Sequence, residues 1–336
     1  MSVLAFCQQR QKVALVLGGG GAKGAAEVGV LKYVEQSGVP IDYIVGTSIG
    51  SIVGGLYAVG YRSEQLDSMF RSQEWTALLT DMKMDGKAKL VQKEGELTYV
   101  LGVPLSLNFK RKRESKGGRG LGALRGDSIV SVLERMIRQA PGHAGEYDAD
   151  SIDFDDLPIP FRCVAVDMKG FEEVHLDHGS LASSMRASMA IPFVFKPMKI
   201  DDMTLVDGGV LNNLPVDVAK AMGADVVIAI DLTVNKPEGD NDKYFSYDDS
   251  EGGVFEPLRK FGVLNYVKWG VERPDQKKYA ANMKLADVYI NPNLKGYGAQ
   301  SFSHAKVAEM IAIGEQAGKK SLKALKKLKK KIGKKR

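Results

Sequence analysis

The chain has 336 residues, of which 44% are hydrophobic and 26% charged, a balance that is typical of a folded protein and excludes disorder throughout. Glycine interrupts the apolar runs well before the roughly 18 to 20 residues that a membrane-spanning helix needs, so we predict no such helix. The chain has only two cysteines, which excludes a disulfide framework and favours a reducing, cytoplasmic location.

The first eleven residues, 1–11, form an N-terminal extension that precedes the first predicted strand. Within it, residues 3–7 resemble the end of a lipoprotein signal, but the apolar stretch is too short and lacks a basic start. We therefore expect the sequence as it stands to stay in the cytoplasm. If the true start lies upstream of Met1, the alternative is an exported protein with Cys7 as a lipid anchor.

From residue 12 onward the pattern alternates between strand and helix. The first elements are, in order, a strand at Val13 to Leu17, a helix at Ala22 to Ser37, a strand at Tyr43 to Val45 and a helix from Ser48 to about Gly60. Ser63 is a predicted cap for a further helix. This alternation predicts an α/β fold with a parallel sheet between covering helices.

The rest of the chain continues the same pattern with two interruptions. Further strands are predicted at Phe161 to Val166, Glu173 to Leu176, Lys199 to Val206 (a hairpin that turns at Asp201 and Asp202), Val226 to Ile230 and Val288 to Ile290. Helices are predicted at Ser180 to Met189, at Pro215 to Met222 and from Ser303 onward. The stretches at about 81–125 and 235–280 break the rhythm and are interpreted as insertions over the sheet, with a lid or a solvated loop as the alternatives.

The net charge of +6 resides in the C-terminal tail, residues 319–336, which contains ten Lys and one Arg but no acid. The tail also carries a narrow apolar stripe at helical spacing, formed by Leu322, Leu325, Leu328 and Ile332. This pattern predicts an amphipathic helix in peripheral contact with an anionic membrane, with a solvated basic end as the alternative. We expect no nucleic-acid partner because no recognition module accompanies the basic residues.

Ser48 is the candidate nucleophile. It lies in the pentamer Gly46-Thr47-Ser48-Ile49-Gly50, between a predicted strand and a predicted helix. Gly46 and Gly50 permit the tight strand-to-helix turn that exposes a nucleophilic hydroxyl. The pentamer alone is common, and a loop serine between two packing glycines is the alternative interpretation.

Two functions are compatible with the glycine loop Gly18 to Gly24. It matches a dinucleotide-binding fingerprint, because it follows a strand and opens a helix. It does not match a nucleotide P-loop, because Lys23 precedes Gly24 and no Ser or Thr follows the lysine. The other function is an oxyanion hole, in which consecutive amides at a helix N-terminus stabilise charge on a carbonyl oxygen. Ser48 favours this second function, since dinucleotide binding has no use for it.

A serine nucleophile also needs a base. The chain has four histidines, and none lies in a glycine-rich turn. Asp207 is the better candidate, because it ends a predicted strand and is followed by Gly208 and Gly209, which leave its carboxylate accessible. A β-turn aspartate without a catalytic role is the alternative. No cluster of His, Cys or carboxylates has ligand spacing, so we expect neither a metal nor another cofactor.

These three motifs together resemble those of the patatin-like phospholipases, and in particular the bacterial subgroup related to the catalytic domain of neuropathy target esterase. The similarity extends to further segments and covers most of 12–318, the predicted domain; these segments are Ala187 to Pro192, Val206 to Pro215 and Asn291 to Leu294. The resemblance implies a three-layer α/β/α fold with a mainly parallel sheet and a Ser-Asp dyad without histidine. It implies hydrolysis of a phospholipid, a lysophospholipid or another fatty-acyl ester.

The resemblance also implies a role for each residue of the motifs. The amides of Gly19, Gly20 and Gly21 would form the oxyanion hole. Ser48 would form the acyl-enzyme, and Asp207 would activate first Ser48 and then water. Lys23 would brace the loop.

Three alternatives remain open at the level of sequence. A nucleotide-binding protein would use the glycine loop, with Glu35 or Asp42 as the acid at the ribose. A hydrolase with the order Ser-Asp-His would use His304 as its base. A non-catalytic module would bind lipid in the same pocket.

Overall fold

A mainly parallel sheet forms the centre of the molecule. The computed structural model describes residues 10–80, 124–142, 152–192, 194–233 and 275–333. Its strands are β1 Val13–Leu17, β2 Tyr43–Thr47, β3 Ile152–Asp153, β4 Phe161–Asp167, β5 Glu172–Leu176, β6 His178–Gly179, β7 Met198–Ile200, β8 Met203–Asp207, β9 Val226–Ile230 and β10 Val288–Ile290.

The helices lie between these strands. They are α1 Ala25–Ser37, α2 Ile49–Ala58, α3 Ser63–Ser72, α4 Trp75–Thr80, α5 Asp127–Arg138, α6 Leu181–Ser188, α7 Val216–Ala221, α8 Asp275–Leu285 and α9 His304–Ile332. Short 3-10 helices at Gly21–Gly24 and Gly208–Val210 follow β1 and β8.

Strands β10, β9, β1, β2 and β4 are neighbours in that order, and all four pairs are parallel. Strands β5 and β8 pair with β4 in the antiparallel sense, and β7 pairs with β8. The two-residue strands β3 and β6 form a separate antiparallel pair. The prediction of a mainly parallel sheet is therefore confirmed.

One edge of β4 is shared by two strands whose C-terminal ends face each other. Strand β5 pairs with β4 from Cys163 to Asp167, so it occupies the opposite edge over that whole length. Parallel β2 ends where Thr47 pairs with Val164, and antiparallel β8 ends where Asp207 pairs with Ala165. The strand ends that carry Thr47 and Asp207 therefore meet at consecutive residues of β4.

The sheet separates two hydrophobic cores, as a three-layer fold requires. Val13, Leu15 and Leu17 of β1 belong to the larger core, while Ala14 and Val16 belong to the smaller one. Helices α1, α2, α3, α5, α6 and α9 contribute side chains to the larger core, and α7 and α8 contribute to the smaller one. The predicted three-layer α/β/α architecture is confirmed.

Helix α9 packs closely along α1. A Cβ at Gly314 would overlap with the carbonyl group of Ala26, and a Cβ at Gly29 would overlap with the carbonyl oxygen of Ile311, so glycine permits the close approach of the two helices. The helix runs unbroken into the predicted basic tail, where Leu325, the centre of the apolar stripe, is completely buried.

The apolar stripe of the tail therefore faces the protein core. Leu328 and Ile332 are buried with Leu325 in the larger core, whereas the lysines of this half of α9 are exposed. The expectation that the stripe is free to lie on lipid is corrected by this packing. No helix among the described residues combines the length and low polarity needed to cross a bilayer.

Several local predictions differ from the structure. Arg62, not Ser63, caps α3, because the amide and hydroxyl of Ser63 donate to the carboxylate of Glu35. Helices α4, α5 and α8 were not predicted, and the first six residues of α8, 275–280, coincide with the end of the second proposed insertion. The greater part of both proposed insertions lies outside the described residues, and the domain boundaries stay predictions.

Candidate active site

Ser48 lies at the turn between β2 and α2, as predicted. Its backbone adopts φ 55° and ψ −125°, a sparsely populated conformation for a non-glycine residue. Such a conformation costs on the order of 1 to 3 kcal/mol and persists only where surrounding contacts hold it. The residue is only 4% exposed. Ser48 therefore has the strained geometry of a nucleophile elbow.

At several glycines around the site the backbone packs so closely against neighbouring atoms that no side chain would fit, as the motifs suggested. A Cβ at any of these positions would lie closer to a neighbouring atom than real side chains allow: Gly24, Gly46, Gly50, Gly208 and Gly209. For Gly50 the nearest atoms are the backbone carbonyl groups of Leu17 and Gly18. The turn after Ser48 therefore packs directly on the end of β1.

The hydroxyl of Ser48 is hydrogen-bonded to Asp207. Ser48 Oγ lies 2.8 Å from Asp207 Oδ2, and the amide of Gly209 donates to Asp207 Oδ1 at 2.7 Å. Ser48 directly follows β2 and Asp207 is the last residue of β8, and the ends of these two strands meet on β4, which brings the two residues together across 159 positions of sequence. The structure therefore places the predicted nucleophile and the predicted base in direct contact.

Burial raises the pKa of Asp207 to about 6, with the hydrogen bonds from the Gly209 amide and the Ser48 hydroxyl acting in the opposite direction. A carboxylate with a pKa near 6 is a stronger base than an exposed aspartate and is still ionised at neutral pH. The environment of Asp207 thus removes the weakness of an ordinary carboxylate as a base.

The strained backbone of Ser48 is held on both sides. Its amide donates to Ser188 Oγ at 2.8 Å, and Ser188 Oγ donates in turn to the carbonyl oxygen of Val164 at 2.5 Å. Its carbonyl oxygen accepts from Ser51 Oγ at 2.6 Å. Sequence patterns did not single out Ser188, although it lies within one of the segments that carry the family resemblance.

The glycine loop lies against Ser48, and its amides differ in whether they already donate a hydrogen bond to the backbone. A Cβ at Gly19 would lie 3.1 Å from Ser48 Cβ. The amide of Gly19 donates to the backbone oxygen of Asn213 at 3.1 Å, and Asn213 Nδ2 donates back to the Gly19 oxygen at 3.2 Å. Within the described chain, the amides of Gly20 and Gly21 donate to no other backbone group. The predicted role of Gly19 as an oxyanion donor is therefore at odds with this structure, while that of Gly20 and Gly21 stays a prediction.

Lys23 belongs to a buried group of charges behind the loop. Burial lowers its pKa, and the negative charge of Asp231 partly offsets this effect. Glu27 is completely buried on α1, and burial, reinforced by the Asp231 charge, raises its pKa well above the usual range. The carboxylate of Asp231 accepts hydrogen bonds from Thr233, Tyr279 and Tyr289. Lys23 thus interacts electrostatically with Asp231, which fits the predicted bracing role.

A polar network supports the other side of the site. Asn212 accepts from Thr47 Oγ1 through its backbone oxygen at 2.8 Å, and its side chain donates to Glu173 and Asp217. Burial favours a higher pKa for Glu173, but hydrogen bonds from His175, Lys278 and Asn212 outweigh it and hold that pKa at about 2. This network anchors the residue before Ser48 to the loop after Asp207.

The described histidines do not contact Ser48 or Asp207. His304 contacts the backbone oxygen of Arg71 and the carboxylate of Glu74, at the C-terminal end of α3. His175 and His178 contact Glu173 and Asp177. None of the three forms a hydrogen bond with Ser48 or Asp207, which argues against a Ser-Asp-His arrangement.

The acids proposed for ribose binding have structural partners. Glu35 accepts hydrogen bonds from Ser63, and Asp42 accepts from the side chain of Arg10 and the amide of Val13. Asp42 precedes β2, whereas a ribose-binding acid follows the second strand. Within the described ranges, no three His, Cys, Asp or Glu side chains are grouped so that they could hold a metal ion.

The fold and the site define an α/β protein in which a serine at a strand-to-helix turn pairs with a buried aspartate beside a glycine loop. The family model for patatin-like phospholipase matches residues 15–220. The chain belongs to this family, which confirms the resemblance seen in its motifs.

Individual relatives extend the match along the chain. The chain is 35% identical over 326 residues to patatin-like phospholipase domain-containing protein 7 of Mus musculus, which covers 91% of this chain and 20% of that protein. It is 28% identical over 332 residues to lysophospholipase nte1 of Aspergillus fumigatus, which covers 94% of this chain and 18% of the relative. The chain thus spans at most a fifth of the length of these relatives. The crystal structure of VipD from Legionella pneumophila aligns with a TM-score of 0.48 and 13% identity, over 94% of this chain and 67% of VipD.

Proposed function

We propose that this protein is a serine lipid acyl hydrolase that uses Ser48 as the nucleophile and Asp207 as the base. The observation that carries the proposal is the 2.8 Å hydrogen bond from Ser48 Oγ to Asp207 Oδ2 at a strained turn. A serine hydroxyl becomes an effective nucleophile only when a neighbour removes its proton. Asp207 is the described carboxylate in position to do so.

In the proposed reaction, Ser48 Oγ attacks the carbonyl carbon of a fatty-acyl ester while its proton passes to Asp207. The tetrahedral oxyanion is stabilised by the amides of Gly20 and Gly21 and by the positive end of α2. Collapse of the tetrahedral intermediate expels the alcohol, which takes the proton from Asp207, and leaves the acyl group on Ser48. Asp207 then deprotonates a water molecule, which attacks the acyl-enzyme. Collapse of this second tetrahedral intermediate releases the fatty acid, and Asp207 returns the proton to Ser48 Oγ.

The proposed substrates are phospholipids, lysophospholipids and other fatty-acyl esters. Membership of the patatin-like phospholipase family supports this class, and the name lysophospholipase of one relative favours substrates with a single acyl chain. We propose no cofactor, since both proton transfers are assigned to Asp207.

The test is hydrolysis of a medium-chain p-nitrophenyl ester, together with mass spectrometry of a fluorophosphonate adduct. We expect the wild-type protein to carry the adduct on Ser48, and we expect Ser48→Ala and Asp207→Asn each to lower kcat by at least about a thousandfold, as for loss of a nucleophile or base. His304→Ala is the control and should keep full activity. Turnover by folded Ser48→Ala would contradict the proposal. Fatty-acid binding without labelling would favour the non-catalytic alternative, and binding of NAD would favour the nucleotide-binding one.

We further propose that the basic half of α9 contacts anionic membranes peripherally from the cytoplasm. Its exposed lysines support this: Lys319, Lys320, Lys323, Lys326, Lys327, Lys329, Lys330 and Lys331. No ion pair within the described chain involves them. Because the apolar stripe beneath them is part of the core, the attraction would be electrostatic and would weaken with salt.

Vesicle co-sedimentation tests this contact. A Lys323→Gln, Lys326→Gln, Lys330→Gln variant should bind phosphatidylglycerol vesicles about a hundredfold more weakly, at about 1 kcal/mol per lysine, and wild type should not bind phosphatidylcholine vesicles. The control removes the same charge elsewhere through Lys199→Gln, Lys284→Gln and Lys295→Gln. Equal loss of binding in both triple variants would contradict a specific role for α9.

A further inference from the structure

We infer that Ser188, the last residue of α6, is a positioning residue that holds the Ser48 backbone in its reactive conformation. This inference rests on the proposed function, because it assigns a role in the reaction of Ser48. Ser188 is completely buried, and its hydroxyl lies between the elbow and the central strand β4.

Ser188 Oγ forms hydrogen bonds with Val164 and Ser48, and their directions follow from the groups involved. The Val164 carbonyl, 2.5 Å away, can only accept, so the single hydroxyl proton of Ser188 is donated to it. The Ser48 amide, 2.8 Å away, can only donate, so it binds a lone pair of the same oxygen. The acceptor for the Ser48 amide is therefore oriented by a strand of the sheet.

Ser48 needs such an acceptor because its φ of 55° and ψ of −125° are strained for serine. Ser51 holds the carbonyl side of the residue, through both its hydroxyl and its amide. Ser188 holds the amide side. Without it, the peptide between Thr47 and Ser48 loses its only described hydrogen-bond acceptor and can rotate towards a less strained conformation, which would move Ser48 Oγ away from Asp207.

The same turn also holds the proposed base. Two residues after Ser188, the backbone oxygen of Ala190 accepts a hydrogen bond from the amide of Asp207 at 3.0 Å. The turn that ends α6 thus binds the backbone amides of both Ser48 and Asp207. Its geometry sets the separation of the two reacting groups, independently of the hydrogen bond between their side chains.

A buried serine can also serve packing alone, and Ser184 offers a matched control for that role. Ser184 lies one turn earlier on α6 and is 1% exposed. Its hydroxyl takes no part in the described hydrogen bonds of Ser48 or Asp207. Ser184→Ala removes a buried hydroxyl from the same helix without altering the hydrogen bonds that join the end of α6 to Ser48 and Asp207.

The test compares Ser188→Ala, Ser188→Cys and Ser184→Ala by ester hydrolysis, fluorophosphonate labelling and thermal unfolding. We expect Ser188→Ala to lower kcat and the labelling rate constant about ten- to hundredfold, the factor that corresponds to one buried hydrogen bond, with little change in KM. Ser188→Cys keeps a weak acceptor of similar size and should fall between Ala and wild type. Ser184→Ala should keep the wild-type labelling rate. The acid limb of the pH–rate profile should not shift in Ser188→Ala, because Ser188 does not touch the Asp207 carboxylate.

The outcomes separate this inference from the proposed function. If wild type is labelled at Ser48 and folded Ser188→Ala is labelled equally fast, the positioning role is wrong while the proposed function stands. If wild type is not labelled, the proposed function and the inference both fall. If Ser188→Ala does not fold, Ser188→Cys decides, since a wild-type rate in that variant would overturn the positioning role.

Discussion

Thr47 and Asp207 pair with consecutive residues of β4, Val164 and Ala165, although they enter the sheet from opposite directions. Because β2 is parallel and β8 antiparallel to β4, their C-terminal ends point at each other. This register of β2 and β8 on β4 sets the positions of Ser48 and Asp207, so their contact does not depend on a long loop. The site therefore has the rigidity of the sheet, which is the support that a precise catalytic geometry requires.

The pKa of Asp207 predicts the acid limb of the pH–rate profile. Asp207 must be ionised to accept the Ser48 proton, and burial raises its pKa to about 6. We expect kcat/KM to rise tenfold per pH unit below about 6 and to level off above it. A limb near pH 4, the range of an exposed aspartate, would contradict the role of burial. Measurement of kcat/KM from pH 4 to 9 on a neutral ester decides between them.

The same raised pKa predicts a cost in stability. An acid whose pKa is higher in the folded state than in the unfolded state destabilises the fold as pH rises through both values, here from about 4 to about 6. Asp207→Asn should therefore raise the free energy of unfolding at pH 8 by up to about 3 kcal/mol, and the gain should vanish below pH 4. Urea unfolding at the two pH values checks this. Equal effects at both would show that ionisation of Asp207 is not the cause.

The hydrogen bonds between Asn213 and Gly19 predict that Asn213 holds the glycine loop in place. Its side-chain amide donates to the Gly19 oxygen, and its backbone oxygen accepts from the Gly19 amide. Asn213→Ala leaves the Gly19 oxygen without its side-chain donor, and we expect kcat to fall about tenfold or more. Asn291→Ala is the matched control, because Asn291 donates in the same way to the oxygens of Asp231 and Thr233. Comparable losses of kcat in the two variants would indicate a general loss of structure.

The lowered pKa of Glu173 predicts that the stability of the fold decreases at acid pH. Its pKa of about 2 lies below its ordinary value of 4.5, so its ionised form stabilises the fold above about pH 4.5, and this contribution is lost as pH falls towards 2. Glu173→Gln should lower the Tm at pH 7, and the difference from wild type should shrink as the pH is lowered. The exposed neighbour Glu172 provides the control, since Glu172→Gln should change Tm little at either pH. A constant Tm difference for Glu173→Gln would contradict the electrostatic explanation.

Leu325 tests whether the basic end of α9 is part of the folded core. Because Leu325 is completely buried, Leu325→Ala should lower the free energy of unfolding by about 2 to 5 kcal/mol. Lys326→Ala, on the exposed side of the same helix, should change it by less than about 0.5 kcal/mol. Urea denaturation of the two variants provides the comparison. A neutral Leu325→Ala would mean that the end of the helix does not pack in solution.

The sequence by itself determined most of the local elements and pointed to the two residues that we propose as nucleophile and base. The apolar runs of β1 and β9 predicted these strands to the residue, because a strand that is buried on both faces is continuously apolar. Strand β10 was also predicted to the residue, although Tyr289 in its middle is exposed. Ser48 and Asp207 were also identified as candidates from sequence, because the glycines around each of them leave a local signal. The helices α5 and α8 border segments of irregular composition, and the pattern there was too weak to predict them.

Tertiary structure decided which hydrogen-bonding groups are already occupied and which faces are covered. The amide of Gly19 is occupied by Asn213, which is 194 residues away, and the acceptor for the Ser48 amide is Ser188, 140 residues away. Leu325 and Leu328 of α9 are buried in the core, although their spacing is equally compatible with a lipid surface. Periodicity defines an apolar face but not its partner, because the partner is set by strand register and helix packing between distant parts of the chain.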